Sequence, residues 1–141
     1  MNPITLTAMT FAATFALAAA TSAEDAKPAA ATLPPAATKA GVTYATDIKP
    51  IFEASCVKCH SGDKPKAHLH LDTLEGVLKG TKHDKIVTPG DSSNSLIIKA
   101  TAHLSKDPEG WMPPPNNRAG IKPLTPEQIG LIRAWIDQGA K

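Results

Sequence analysis

The alternation of apolar and polar positions divides the 141 residues into three parts. Residues 4–20 contain no charged side chain, residues 24–41 consist largely of proline and alanine, and residues 42–141 carry apolar side chains at helical spacing. Such spacing is typical of helices that bury one face against a core. We therefore expect one small folded domain over residues 42–141.

The first half of this domain predicts two helices. Residues 46–55 repeat apolar side chains on one helical face. Residues 72–75 form a capping-box pattern before a short apolar segment, for which Gly80 is the predicted end. Between the two helices, residues 68–72 alternate polar and apolar side chains, which predicts a short extended piece.

The second half predicts two more helices and a long loop. A third helix is capped by Asp91 or Ser92. The last helix begins after the N-cap Thr125, which is followed by a proline and a capping-box glutamine, and it ends at Gly139. Residues 107–122 between them are rich in proline and glycine and are expected to form a loop. The predicted fold class is therefore all-α.

The two N-terminal parts are expected to lie outside the fold. The charge-free run ends in the small residues Thr21–Ala23, which predicts a signal peptide over residues 1–23. The alternative is an uncleaved membrane anchor, for which about 17 apolar residues are short. Residues 24–41 bury too little surface to offset the entropy of ordering, so we expect a disordered linker. A periplasmic protein without stable membrane insertion is the expected product.

The charge distribution limits the choice of partners. The chain carries 15 basic and 13 acidic residues, which gives a net charge of +2, and the two signs alternate along the sequence. No basic stripe with interleaved aromatic residues is present in the sequence. Nucleic-acid binding therefore has little support.

Both cysteines belong to one short motif, Cys56-Val-Lys-Cys59-His60. Two thiols at this spacing can reach the two vinyl groups of one haem, and the following histidine can bind the iron. A structural zinc site would have to recruit two of the five histidines as further ligands. A redox-active thiol pair would be expected in a βαβ context, which the sequence lacks. We favour haem, with zinc and a thiol pair as alternatives.

A second iron ligand is expected from Met112. The other two methionines lie in the predicted signal peptide, and Met112 stands in the proline-rich segment 111–115. Prolines restrict this backbone, so the segment could hold a thioether on iron without a helix. The alternatives are a methionine of the core or a histidine ligand, His68 or His70. The other two histidines, His83 and His103, are expected on the surface.

Five short motifs occur in a characteristic order: DIKPIF from Asp47, CVKCH from Cys56, LHLD from Leu69, MPP from Met112 and WIDQGA from Trp135. In this order the chain resembles the planctomycete-type cytochrome c domain over about residues 43–140. The resemblance implies an all-α, cytochrome c-like fold around one haem c. It also implies covalent attachment through Cys56 and Cys59, with His60 and Met112 as axial ligands.

These expectations define a function. Two fixed axial ligands leave no open position on iron, so we expect an electron carrier rather than an enzyme, cycling between Fe(III) and Fe(II). A monomer would dock transiently on donor and acceptor proteins through a small interface. The alternative is a haem-based sensor or ligand-binding protein with a displaceable Met112. A dihaem peroxidase is disfavoured because the sequence has one Cys-x-x-Cys-His motif.

Overall fold

The computed structural model describes residues 32–141, where the regular elements are helical. The predicted signal peptide and the first part of the predicted linker lie outside the described residues. Within residues 32–141 no strand occurs, which confirms the predicted all-α class. The α-helices of this range are α1 (Lys49–Ser55), α2 (Leu74–Lys79), α3 (Leu96–Thr101) and α4 (Pro126–Asp137). Along this part of the chain, no helix has the length and apolar character needed to cross a membrane.

The first predicted helix is present and begins earlier than the pattern indicated. A π-helical turn, Tyr44–Ile48, runs directly into α1, and the hydroxyl of Thr43 accepts the backbone N–H of Thr46 at its start. In α2 the capping residue is Thr73, whose hydroxyl accepts the backbone N–H of Gly76 at 3.1 Å. The capping box predicted over residues 72–75 is therefore wrong by one residue.

The start of α3 differs from the prediction. The residue before the helix is Ser95, and neither Asp91 nor Ser92 is its N-cap. The Asp91 carboxylate accepts the backbone N–H of Asn94 at 3.1 Å and closes a separate turn. Asp91 satisfies a turn rather than the helix because aspartate side chains bond nearby backbone groups equally well in turns.

Helix α4 matches its predicted ends. The capping box between Thr125 and Gln128 is formed in both directions. At the other end, Gly139 has φ of 98°, and the backbone N–H of Ala140 donates to the carbonyl of Trp135 at 3.0 Å. This bond is typical of a Schellman motif, which needs a residue that tolerates left-handed backbone.

The core is organised around Trp135 of α4, which is fully buried. The ring centroid of Tyr44 lies 6.0 Å from that of Trp135 and 6.2 Å from that of Phe52 in α1. The indole N–H of Trp135 and the backbone N–H of Tyr44 both donate to the carbonyl of Lys141, at 2.9 and 3.1 Å. The C-terminus is thereby fixed to the start of the domain.

Residues 32–41, here called the N-terminal strap, lie along α4. The backbone N–H of Ala37 donates to the carbonyl of Gly130 at 2.9 Å. The guanidinium of Arg133 donates to the carbonyl of Pro34. These bonds join the strap to the middle of a helix about 90 residues further along the chain.

The end of the strap is held by polar side chains. The amide of Gln138 donates to the carbonyl of Lys39 at 2.8 Å and accepts the backbone N–H of Val42 at 3.1 Å. Lys39 also pairs with Asp47, and this contact is the main reason why the pKa of the Asp47 carboxyl is lowered to about 2. The predicted disordered linker is therefore corrected for residues 32–41, which are ordered by contacts with distant residues.

Replacing Gly130 with alanine tests the contact between the strap and α4. A Cβ at this position would lie 2.6 Å from the carbonyl oxygen of Pro35. In the full chain we expect Gly130→Ala to lower the free energy of unfolding by about 1–3 kcal/mol, because the close-packed strap must shift. In a chain that begins at Val42 we expect a gain of up to about 1 kcal/mol from helix propensity.

Denaturant unfolding of Gly130→Ala and its parent, in the full chain and in the chain that begins at Val42, measures this difference in sign. An equal loss of stability in the two backgrounds would show that the strap is not what crowds Gly130.

Candidate functional site

The turn after α1 brings both cysteines and His60 together. The backbone N–H of Cys56 donates to the carbonyl of Phe52 at 2.7 Å, which continues the direction of the helix. The backbone N–H groups of Cys59 and His60 then donate to the carbonyl of Cys56, at 3.1 and 3.0 Å. The motif is thus one compact turn, and both thiols are free.

His60 is fixed through its ring and its backbone. Its Nδ1 lies 3.1 Å from the carbonyl oxygen of Lys66, and its own carbonyl accepts the backbone N–H of Leu71 at 2.8 Å. Because a carbonyl only accepts hydrogen bonds, Nδ1 carries the proton in this contact and Nε2 keeps its lone pair. Burial lowers the pKa of His60, although the hydrogen bond to the Lys66 carbonyl acts in the opposite direction. The neutral imidazole, which is the metal-binding form, is favoured.

An apolar cleft lies against this turn. Its volume is about 260 Å³, just below the usual range for ligand pockets, and the cleft is partly open to solvent. Cys56, Cys59, His60 and Met112 all lie in its wall. Among the described residues, none of the side chains lining the cleft carries a formal charge. Leu96 of α3 also lines it and is 45% exposed.

Met112 is presented by a loop that is fixed at two places. Its backbone N–H donates to the carbonyl of Ala100 in α3 at 3.0 Å. Further on, the side-chain amide of Asn117 donates to the carbonyls of Pro114 and Ile121 at 2.8 Å each, and its oxygen accepts the N–H of Ile121 at 2.8 Å. The expected loop is therefore stiff, although it contains little regular structure.

The two alternative histidine ligands lie elsewhere. His68 is exposed, and Nδ1 of His70 lies 3.6 Å from the carboxylate of Asp72. Neither histidine lines the cleft, whereas the residue after each of them, Leu69 and Leu71, does. The predicted alternation of sides is present, although the first residue of the predicted extended piece 68–72, His68, belongs to the 3-10 turn Lys66–His68.

Of the histidines expected on the surface, His83 is exposed but His103 is half-buried. The His103 ring lies parallel to the ring of Trp111, with centroids 4.8 Å apart and 4° between the planes. The expectation for His103 is corrected, because an aromatic partner from the Met112 loop covers one face of its ring.

Comparison with known proteins agrees with this geometry. Residues 56–116 match the family described as Planctomycete cytochrome C. Over these residues the chain is similar to planctomycete-type cytochrome c domains. The match includes the Cys-x-x-Cys-His motif and the segment that contains Met112, and it ends before α4. No curated protein and no solved structure matches the chain.

Cytochromes c carry covalently attached haem, and the residues around the cleft fit that group. The wall is apolar, the two thiols are free, and Nε2 of His60 is left for a metal. Burial, followed by the neighbouring Cys59, raises the pKa of the Cys56 thiol to about 12, as expected for a group in apolar surroundings. For the zinc alternative, residues 32–141 contain no group of three His, Cys, Asp or Glu side chains that could hold a metal ion.

Two supporting groups could not be assigned from the sequence. The carbonyl of Lys66 orients His60, but a backbone acceptor leaves no signature in the side-chain pattern. Asn117 closes the Met112 loop, and its only signal is that asparagine is common in turns. Each contact depends on how its own loop folds back, which the sequence does not specify locally.

Replacing Asn117 with alanine tests the stiffness of the Met112 loop. The variant loses three hydrogen bonds and leaves the N–H of Ile121 without its acceptor. We expect the free energy of unfolding to fall by about 1–3 kcal/mol. The neighbouring exposed Asn116 provides a matched control, for which alanine should change stability by less than about 0.5 kcal/mol.

Denaturant unfolding and the rate of proteolysis within residues 112–121 measure the effect. Equal stability and equal cleavage of the two variants would contradict the role given to Asn117.

Proposed function

We propose that this chain is an exported, periplasmic monohaem cytochrome c that carries electrons and is not an enzyme. The observation that carries the proposal is the convergence of Cys56, Cys59, His60 and Met112 on one uncharged cleft. These are the side chains needed to attach a haem and to bind its iron on both sides. Their sequence separation, from the turn after α1 to the loop after α3, makes a chance convergence a poor explanation.

Each of these residues has a distinct role in the proposal. The thiols of Cys56 and Cys59 would attach the haem through two thioether bonds, and Nε2 of His60 and the Met112 sulfur would hold its iron. When bound, haem c supplies a one-electron Fe(III)/Fe(II) couple. The apolar wall excludes water, which disfavours the extra charge of the ferric state and raises the reduction potential. A neutral His60 needs no deprotonation before it binds the metal.

The proposed partners follow from the chemistry of a carrier. A monomer docks transiently on a donor and an acceptor protein, because slow dissociation would limit turnover. Export is supported by the N-terminal sequence and by the covalent mode of haem attachment expected for this family. With two haem propionates present, the net charge of +2 would be close to neutral and favours no particular partner surface.

The mass of the denatured protein tests the proposal most directly. After expression in a host with periplasmic haem-attachment machinery, we expect the mass of residues 24–141 plus one haem, because thioether bonds survive denaturation. Replacing Cys56 and Cys59 together with alanine should remove the haem from the denatured chain. A wild-type mass without haem would contradict the cytochrome function, and a mass of residues 1–141 would contradict signal cleavage.

A second candidate function is ligand sensing at the distal position. It is favoured by one observation, which is that Met112 stands in a loop beside a partly open cleft rather than on a helix. A sensor needs a distal ligand that is readily displaced, whereas a carrier needs one that stays bound in both oxidation states.

Replacing Met112 with alanine separates the two functions. For a carrier, cyanide should bind the wild-type ferric protein weakly, and Met112→Ala should raise its affinity at least about tenfold, since a bond to iron worth more than about 1.4 kcal/mol is lost. The reduction potential should fall, because the thioether favours ferrous iron. His68→Ala and His70→Ala are the controls and should change neither quantity.

Strong cyanide or carbon monoxide binding to the wild type would favour the sensor. A change in affinity on replacing either histidine, with none on replacing Met112, would show that the distal ligand is a histidine.

A further inference from the structure

The loop between α3 and Met112 is closed by contacts between its two ends. The backbone N–H groups of His103 and Met112 donate to the same acceptor, the carbonyl of Ala100, at 3.2 and 3.0 Å. The His103 ring lies parallel to the ring of Trp111 at a centroid distance of 4.8 Å. The chain therefore leaves α3 and returns to it within ten residues, with the aromatic pair at the closure.

Trp111 is held on its other side as well. Its indole N–H donates to the carbonyl of Ser105 at 3.0 Å. The hydroxyl of Ser105 donates to the carbonyl of Asp107 at 2.8 Å, and the Asp107 carboxylate accepts the backbone N–H of Glu109 at 2.9 Å. The interior of the loop is thus bonded to the same side chain that precedes Met112.

His103 occupies its position despite two local penalties. Its φ is 54°, a left-handed backbone conformation that is uncommon for residues other than glycine. Its Nε2 is buried and has no hydrogen-bond partner within residues 32–141, which is unfavourable for a polar atom. The contact with Trp111 is the interaction in which its side chain takes part, so the role of His103 is to be sought there.

We propose that the stacked pair of His103 and Trp111 is a positioning device for Met112. The pair fixes the loop closure, and thereby determines how firmly the Met112 sulfur is kept at the cleft against competing ligands. Neither ring is among the side chains that line the cleft, so the effect acts through the backbone of the loop. This inference rests on the proposed function, in which Met112 is the distal ligand.

The energetic argument concerns the equilibrium between a closed loop and an open one. An external ligand binds only when Met112 has left the iron, so its apparent affinity is proportional to the open fraction. Aromatic pairs contribute about 1 kcal/mol beyond the area that they bury. Loss of the pair should therefore raise the open fraction about fivefold, since about 1.4 kcal/mol corresponds to a factor of ten.

The test compares His103→Ala with His103→Phe in the full, haem-loaded protein. Alanine removes the ring, whereas phenylalanine keeps a flat ring for stacking and lacks the nitrogen atoms. His83→Ala, at an exposed histidine, is the control for the loss of an imidazole. Two quantities are measured: the cyanide affinity of the ferric protein, and the far-red charge-transfer absorption that reports a methionine–iron bond.

We expect His103→Ala to raise the cyanide affinity about fivefold and to weaken the charge-transfer band. His103→Phe should stay within about twofold of the wild type, and His83→Ala should be unchanged. Should His103→Ala fail to fold, Trp111→Leu compared with Trp111→Phe makes the same test from the other ring.

Three outcomes would overturn the inference. Equal cyanide affinity in His103→Ala and the wild type would show that the stack does not hold the loop. An equal rise in His103→Ala and His103→Phe would show that the ring is not the cause. If Met112→Ala retains the band, the distal ligand is another residue, and the stack cannot act through Met112. The proposed function itself fails separately, when the denatured protein carries no haem.

Discussion

The contact between Nδ1 of His60 and the carbonyl of Lys66 is the constraint on which the site depends. It requires the chain to turn back within six residues of the cysteine motif, and it leaves Nε2 as the free nitrogen. The same return brings the backbone N–H of Leu71 to the carbonyl of His60, so the ring is held from both sides. With this register, Leu69 and Leu71 enter the wall of the cleft, while His68 and His70, which alternate with them, stay outside it. One hydrogen bond therefore relates the tautomer of His60 to the composition of the wall.

The aromatic core and the cleft occupy different parts of this small domain. The aromatic core joins α1 and α4 through Tyr44, Phe52 and Trp135, and no residue of α4 lines the cleft. The cleft is instead built from α3, which has six residues, and from turns and loops. Short elements of this kind gain little from helix propensity, so their positions depend on side-chain clamps and on the group that fills the cleft. The strap contributes on the side of α4, where it completes the packing of that helix.

The parts of this structure that could be predicted are those specified by neighbouring residues. The ends of α4 are fixed by Thr125, Gln128 and Gly139, all within one turn of the helix they cap, and the prediction is confirmed. The predicted start of α3 is wrong, because an aspartate such as Asp91 can either cap a helix or close a turn. Only the tertiary context selects the turn here. The order of the strap was not predictable from its composition, because its contacts lie about 90 residues away in α4.

The site shows the same division. The Cys-x-x-Cys-His motif contains its chemistry within five residues, so the proximal side can be proposed from the sequence alone. The role proposed for His103 could not be inferred from the sequence, because its partner Trp111 belongs to the returning end of a loop. Nothing in the residues around His103 distinguishes it from the exposed His83 until that return is known.

Whether such a domain carries electrons or senses a ligand depends on how the hold on Met112 is distributed. A single strong contact could be released by one competing interaction, which would suit a sensor. Here the hold is divided among the backbone bond to Ala100, the clamp at Asn117 and the stack at Trp111. Each is worth only about 1 kcal/mol, but a loop closed at several points opens as a unit, and its opening free energy approaches their sum. A distal ligand held in this distributed way suits the proposed carrier, because its release requires all of these contacts to break together.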